Sequence, residues 1–138
     1  MVMVTGGAFQ GKRECLKRLY GLSDNDIISG AACDFEDVCT ASVVSDYHEL
    51  VRRLISENID VSEFTQRFCK ENPGAAVIIN EIGCGIIPLK KSERIYREEV
   101  GRAGCIIASH SETVIRVFCG IPQIIKGARN SRKQVHSS

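Results

Sequence analysis

The chain has no C-x-x-C pair, no long apolar run and almost no net charge, and each absence removes a class of function. A membrane-spanning helix needs about 20 consecutive apolar residues, and no stretch approaches that. The N-terminus also lacks the pattern of a secretion signal, so a cytoplasmic protein is expected. A net charge of +1 implies no general affinity for polyanions. Neither a repeat nor a long linker nor a low-complexity segment is present. Seven cysteines occur, at 15, 33, 39, 69, 84, 105 and 119. Their number is odd and their spacing resembles no common zinc module. Reduced, mostly buried thiols are therefore expected. His48, His110 and His136 are scattered with respect to them, which argues against a His/Cys metal site.

What remains is an ordinary globular composition: 138 residues, 43% hydrophobic and 25% charged. That length suits one domain with a sizeable core. The expected boundaries are a single domain over 1–126 and a basic tail over 127–138. The residues from 126 onward include Lys126, Arg129, Arg132 and Lys133 and no acid. Such an end is either a nucleic-acid arm or a solvated disordered tail. Its Ser, Asn and Gln content favours the tail, so no nucleic-acid partner and no membrane partner are expected.

The opening Met1-Val-Met-Val-Thr-Gly-Gly-Ala-Phe-Gln-Gly-Lys-Arg13 is the richest local signal. Val2, Met3 and Val4 read as a buried parallel strand. Gly6, four residues, Gly11 and Lys12 then fit G-x-x-x-x-G-K-[ST], except that Arg13 stands where Ser or Thr belongs. Glycines at 6, 7 and 11 let the backbone turn tightly and aim N–H groups inward. Residues 13–20 read as a helix whose N-terminus adds partial positive charge. Gly6, Gly7, Ala8, Phe9, Gln10, Gly11, Lys12 and Arg13 are thus the expected nucleotide-binding residues, with Lys12 reaching the β- and γ-phosphates. A hydroxyl at position 13 would hold Mg²⁺, whereas a guanidinium has only donors and carries positive charge.

Strand and helix signals alternate along the rest. Residues 26–31 and 41–45 read as short strands, with an acidic loop or helical turn over 34–40. From Asp46 the apolar period becomes helical, with Leu50, Val51, Leu54 and Ile55 on one face. Asn58 to Asp60 interrupts that helix, and Ser62 reads as the N-cap of the next, which runs to about Lys70. Residues 75–80 form the strongest strand, apolar on both faces until Asn80. A loop over 81–88, a long helix over 92–109, a strand over 113–119 and a short strand over 123–126 complete the chain. The last two strands suggest an edge hairpin. The alternation implies a three-layer α/β domain with a mainly parallel sheet. Ligands bind such sheets beyond the carboxyl ends of the strands, where the loop, Asp46 and Glu81 all fall.

Asn80-Glu-Ile-Gly-Cys-Gly-Ile-Ile-Pro88 is more specific. It resembles the N-E-V-G-x-G-I-V-P signature of the adenosylcobinamide kinase/adenosylcobinamide-phosphate guanylyltransferase family of cobalamin synthesis. Arg94-Ile-Tyr-Arg97 followed by Glu98 and Gly101-Arg102 resembles the family's R-x-F-R-D-x-x-G-R. Cys119-Gly-Ile-Pro with Lys126 resembles its closing S-G-I-P segment and lysine. Val4-Thr-Gly-Gly-Ala8 resembles its opening, Ile27-Ile-Ser-Gly-Ala31 its second strand, and Ser45 to Leu50 weakly a D-C-x-T-x-W-x-x-N-L stretch.

The resemblance implies a RecA-like P-loop fold, a homo-oligomer with its active site near a subunit interface, and ATP or GTP as substrate. It also implies two activities. One phosphorylates a hydroxyl on the aminopropanol arm of a cobinamide-type small molecule. The other transfers GMP through a guanylylated histidine. Lys12, Asp46 and Glu81 are the expected catalytic residues. Asp46 and Glu81 are also the candidate Mg²⁺ ligands, with Arg13 arguing against the ion. The family's histidine lies in an E…R-I-x-x-H segment after the second strand. Here only Ala32 to Ala41 fills that place, without a histidine, and His48 does not match the motif. The expectation is a kinase-type nucleotide-binding protein without the guanylyltransferase half. The alternative is a catalytically inactive nucleotide-binding subunit.

Overall fold

A computed structural model describes residues 1–82 and 90–127. Six strands form one sheet: β1 (Val2–Gly6), β2 (Ile27–Ser29), β3 (Val43–Ser45), β4 (Ala76–Asn80), β5 (Thr113–Phe118) and β6 (Ile121–Lys126). Their order is β2-β3-β4-β1-β5-β6, parallel throughout except for the β5–β6 pair. The helices are α1 (Lys12–Tyr20), α2 (Tyr47–Ser56), α3 (Val61–Glu71) and α4 (Lys91–His110). Among the described residues no helix is long and apolar enough to cross a membrane.

The fold expected from the alternating signals is the one present, and its layers follow from side-chain period. In β4, Val77 and Ile79 face one core and Ile78 the other. The first core is the larger, built with α2, α3 and α4; Leu50, Val51 and Leu54 of α2 are fully buried in it. The second lies under α1, where Cys15 and Leu16 meet Val4, Ile78, Ile115 and Val117. Both faces of the central strands are therefore covered, as their unbroken apolar sequences require.

Several boundaries differ from expectation for local reasons. Helix α3 starts at Val61, and its N-cap is Asp60, whose carboxylate accepts the Glu63 N–H at 3.0 Å. Ser62 therefore sits inside the first turn; a carboxylate two residues earlier already satisfies the orphan donor. Strand β6 starts at Ile121 rather than 123, because the reversal is complete within Cys119 and Gly120. Their φ values of 50° and 76° match a tight hairpin turn. Short 3₁₀ helices cover Asp24–Asp26 and Phe35–Cys39, the second being the helical turn anticipated there. The described thiols are all free, but only Cys15 and Cys69 are buried; Cys105 and Cys119 are exposed. The expectation of mostly buried cysteines is corrected, since those two fall on an outward helix position and a turn. Cys84, most of the 81–88 loop and the tail beyond 127 lie outside the described residues.

Candidate functional site

Strand β1 lies between β4 and β5, so the chain leaves it toward the β2 edge and later crosses back. That reversal opens a crevice at the carboxyl ends of the strands. A cleft of about 470 Å³ occupies this place, lined by Ala8 through Glu14, by Ser45, Asp46, His48 and Glu49, and by Asn80. The cleft brings residues 8–13 and Asp46 together, whereas Gly6, Gly7 and Glu81 are not among its lining residues.

The loop is shaped by two glycines at positions where a side chain would be strained. Gly6 has φ 146°, and a side chain there would strike the Val117 carbonyl oxygen. Gly11 has φ 83° as the residue before α1, with Gly120 Cα packed against it. Gln10 ties the loop to the β5–β6 turn. Its side-chain oxygen accepts the Cys119 N–H at 2.6 Å, and its carbonyl accepts the Gly120 N–H at 2.8 Å. Phe9, at φ 60° and fully exposed, stands at the tip.

Lys12 is buried, and its ammonium donates to the Gly7 carbonyl at 2.6 Å. Burial pushes its pKa down, while Asp46 and Glu81 pull it back up. Arg13 lines the cleft but turns its guanidinium toward Asp24, at 3.7 Å. Asp46 stands at the N-cap position of α2 with φ 53° and does not cap with its side chain. Its Oδ2 instead accepts the Ser29 hydroxyl at 3.2 Å. Helix capping, which would have explained Asp46 without a ligand, is therefore not its side chain's role.

Glu81 follows β4 and donates its N–H to the Gly6 carbonyl at 2.8 Å. Its carboxylate is held by Arg116 through Nε at 2.8 Å and Nη2 at 3.1 Å. That paired hydrogen bond, more than the charge, keeps the Glu81 carboxyl below its ordinary range. Arg116 was invisible to motif reading, although one charge in the apolar Thr-Val-Ile-Arg-Val-Phe strand was a signal.

His48 is buried on the first turn of α2. Its Nδ1 accepts the Asn80 N–H at 3.1 Å, joining α2 to the end of β4. Burial lowers its pKa against the opposing pull of Asp46 and Glu49. Arg102 forms an ion pair with Glu99 at 3.4 Å.

The donor set does not suit a resident Mg²⁺. A cation occupies the hydroxyl position, Glu81 is committed to Arg116, and of the two expected Mg²⁺ ligands Asp46 is the one left. Among the described residues no three His, Cys, Asp or Glu side chains gather as a metal site.

A six-stranded, mainly parallel sheet with helices on both faces and a glycine-rich loop after its central strand defines a protein of the P-loop NTPase type. Within that class, the family model for cobinamide kinase / cobinamide phosphate guanyltransferase matches residues 37–125, more than half of the chain. The chain belongs to this family. A comparison with curated proteins finds no match.

Proposed function

We propose that the chain binds ATP or GTP with its phosphates in the cleft at residues 6–13, and passes a phosphoryl group to a cobinamide-type alcohol. Lys12 carries this reading: a buried ammonium at the start of a helix, under a glycine loop, is arranged to meet phosphate oxygens. Catalysis of this kind is mainly positioning and charge stabilisation. Lys12 would exchange the Gly7 carbonyl for the transferring phosphoryl group. Asp46 would face the acceptor side of the cleft, while Glu81 acts through its pair with Arg116. Guanylyl transfer is not part of the proposal. In the neutral ring His48 spends its Nδ1 lone pair on the Asn80 N–H and keeps its proton on Nε2, leaving no free nucleophilic nitrogen.

A second reading, a nucleotide-binding subunit without turnover, is favoured by Arg13 and by the donor set that does not suit Mg²⁺. Calorimetry with ATP and GTP, with and without Mg²⁺, followed by a product assay with adenosylcobinamide, separates the two. The first reading expects binding and phosphorylated product. Binding without product supports the second, and no binding of either nucleotide removes both.

A further inference from the structure

We propose that His48 and Glu49 form the seat of the acceptor's hydroxyl group, across the cleft from Lys12. The proposal rests on the kinase reading above and gives it an acceptor site.

The geometry is specific. His48 is more than nine-tenths buried, and Asn80 N–H occupies its Nδ1. The neutral ring therefore presents Nε2–H as a donor, and no hydrogen bond takes that proton among the described residues. Glu49 Oε1 lies 4.0 Å from Nε2, too far for a direct hydrogen bond. An oxygen placed about 2.8 Å from each closes that triangle. Such an oxygen must accept from Nε2–H and donate to the carboxylate, which is what an alcohol does and a phosphate oxygen does not.

The carboxylate is itself held. Arg52 Nε lies 3.7 Å from Glu49 Oε2, and the Arg52 guanidinium rests 3.9 Å above the Tyr96 ring of α4. Oε1 is thereby left toward His48. Both residues line the cleft that the phosphate loop borders. The charges sort the ligand's two ends: Lys12 and the loop N–H groups suit phosphate, while Asp46 and Glu49 repel it and suit a neutral hydroxyl.

The test uses the full chain with nucleotide bound, titrated with cobinamide and with an analogue lacking the aminopropanol hydroxyl. The wild type is expected to prefer cobinamide by about tenfold or more, as loss of a hydrogen bond to a charged group predicts. Glu49→Ala should weaken cobinamide to the level of the analogue and leave the analogue's affinity unchanged. Glu49→Gln, which keeps an acceptor oxygen, should recover part of the preference. Glu49 is partly exposed, so these variants retain the fold; an unchanged melting temperature checks this. A wild type that does not bind cobinamide, or does not discriminate, overturns the proposal, as does equal weakening of both ligands by Glu49→Ala. Nucleotide affinity, measured in the same samples, reports separately on the reading beneath it.

Discussion

Two buried basic groups set the electrostatics of the cleft, and they respond to pH in different ranges. Burial lowers the pKa of both, against the pull of Asp46 and Glu81 at Lys12 and of Asp46 and Glu49 at His48. The groups facing His48 are Lys12 from α1, and Asp46, Glu49 and Arg52 on or beside α2. An unfolded histidine titrates near 6.5, and the folded ring titrates lower. Folding thus favours the neutral ring. Its contribution is complete above that unfolded value and is lost as pH falls toward the folded one, because the unfolded chain binds the proton first. The slope cannot exceed about 1.4 kcal/mol per pH unit for one group. His48→Asn removes the titration and keeps a side-chain oxygen for the Asn80 N–H. Urea midpoints at pH 7 and pH 5 should fall further apart in the wild type than in the variant. Equal differences would show that His48 is not the titrating group. At this scale the sequence was half legible. Lys12 and the glycines follow from a spacing rule. Arg116 and His48 follow only from strands and helices meeting in space.

Between elements, the glycine-rich loop of residues 6–13 is tied to the turn joining β5 to β6. Gln10 makes two hydrogen bonds to that turn, and Gly11 gives it room to approach. The strands and helices were readable because their apolar periods are strong. The contact between residues 10 and 119 was not, since nothing in a linear pattern pairs a loop glutamine with a hairpin N–H. Gln10→Ala should leave the Cys119 N–H to water and free the loop. Stability is expected to drop by about 1 kcal/mol, typical for one hydrogen bond, while ATP affinity falls several-fold. Gln10→Glu keeps the acceptor oxygen and should retain the stability. Parallel denaturant titration and calorimetry measure both effects; an alanine variant with wild-type affinity would mean that the turn does not shape the loop.

Across the whole molecule the two faces of the sheet are unequally covered. Helices α2, α3 and α4 share one core, whereas α1 provides the helical cover of the other, chiefly through Cys15 and Leu16. The alternation of strands and helices made three layers legible, but not how many helices each face receives, because that depends on crossover direction. Under the proposed function the asymmetry matters, since α1 begins at Lys12 and sits on the thinner layer. Leu16→Ala and Ile107→Ala remove comparable side chains, each fully buried, one from α1 and one from α4. Each should cost about 2–5 kcal/mol of global stability. Their effects on nucleotide binding should differ. The cavity at Leu16 releases the helix whose first turn positions Lys12, whereas α4 contributes no lining residue to the cleft. With both variants held where circular dichroism shows them folded, Leu16→Ala should weaken ATP binding and Ile107→Ala should not. Equal losses would mean that affinity tracks overall stability, and the thin layer would have no special hold on the site.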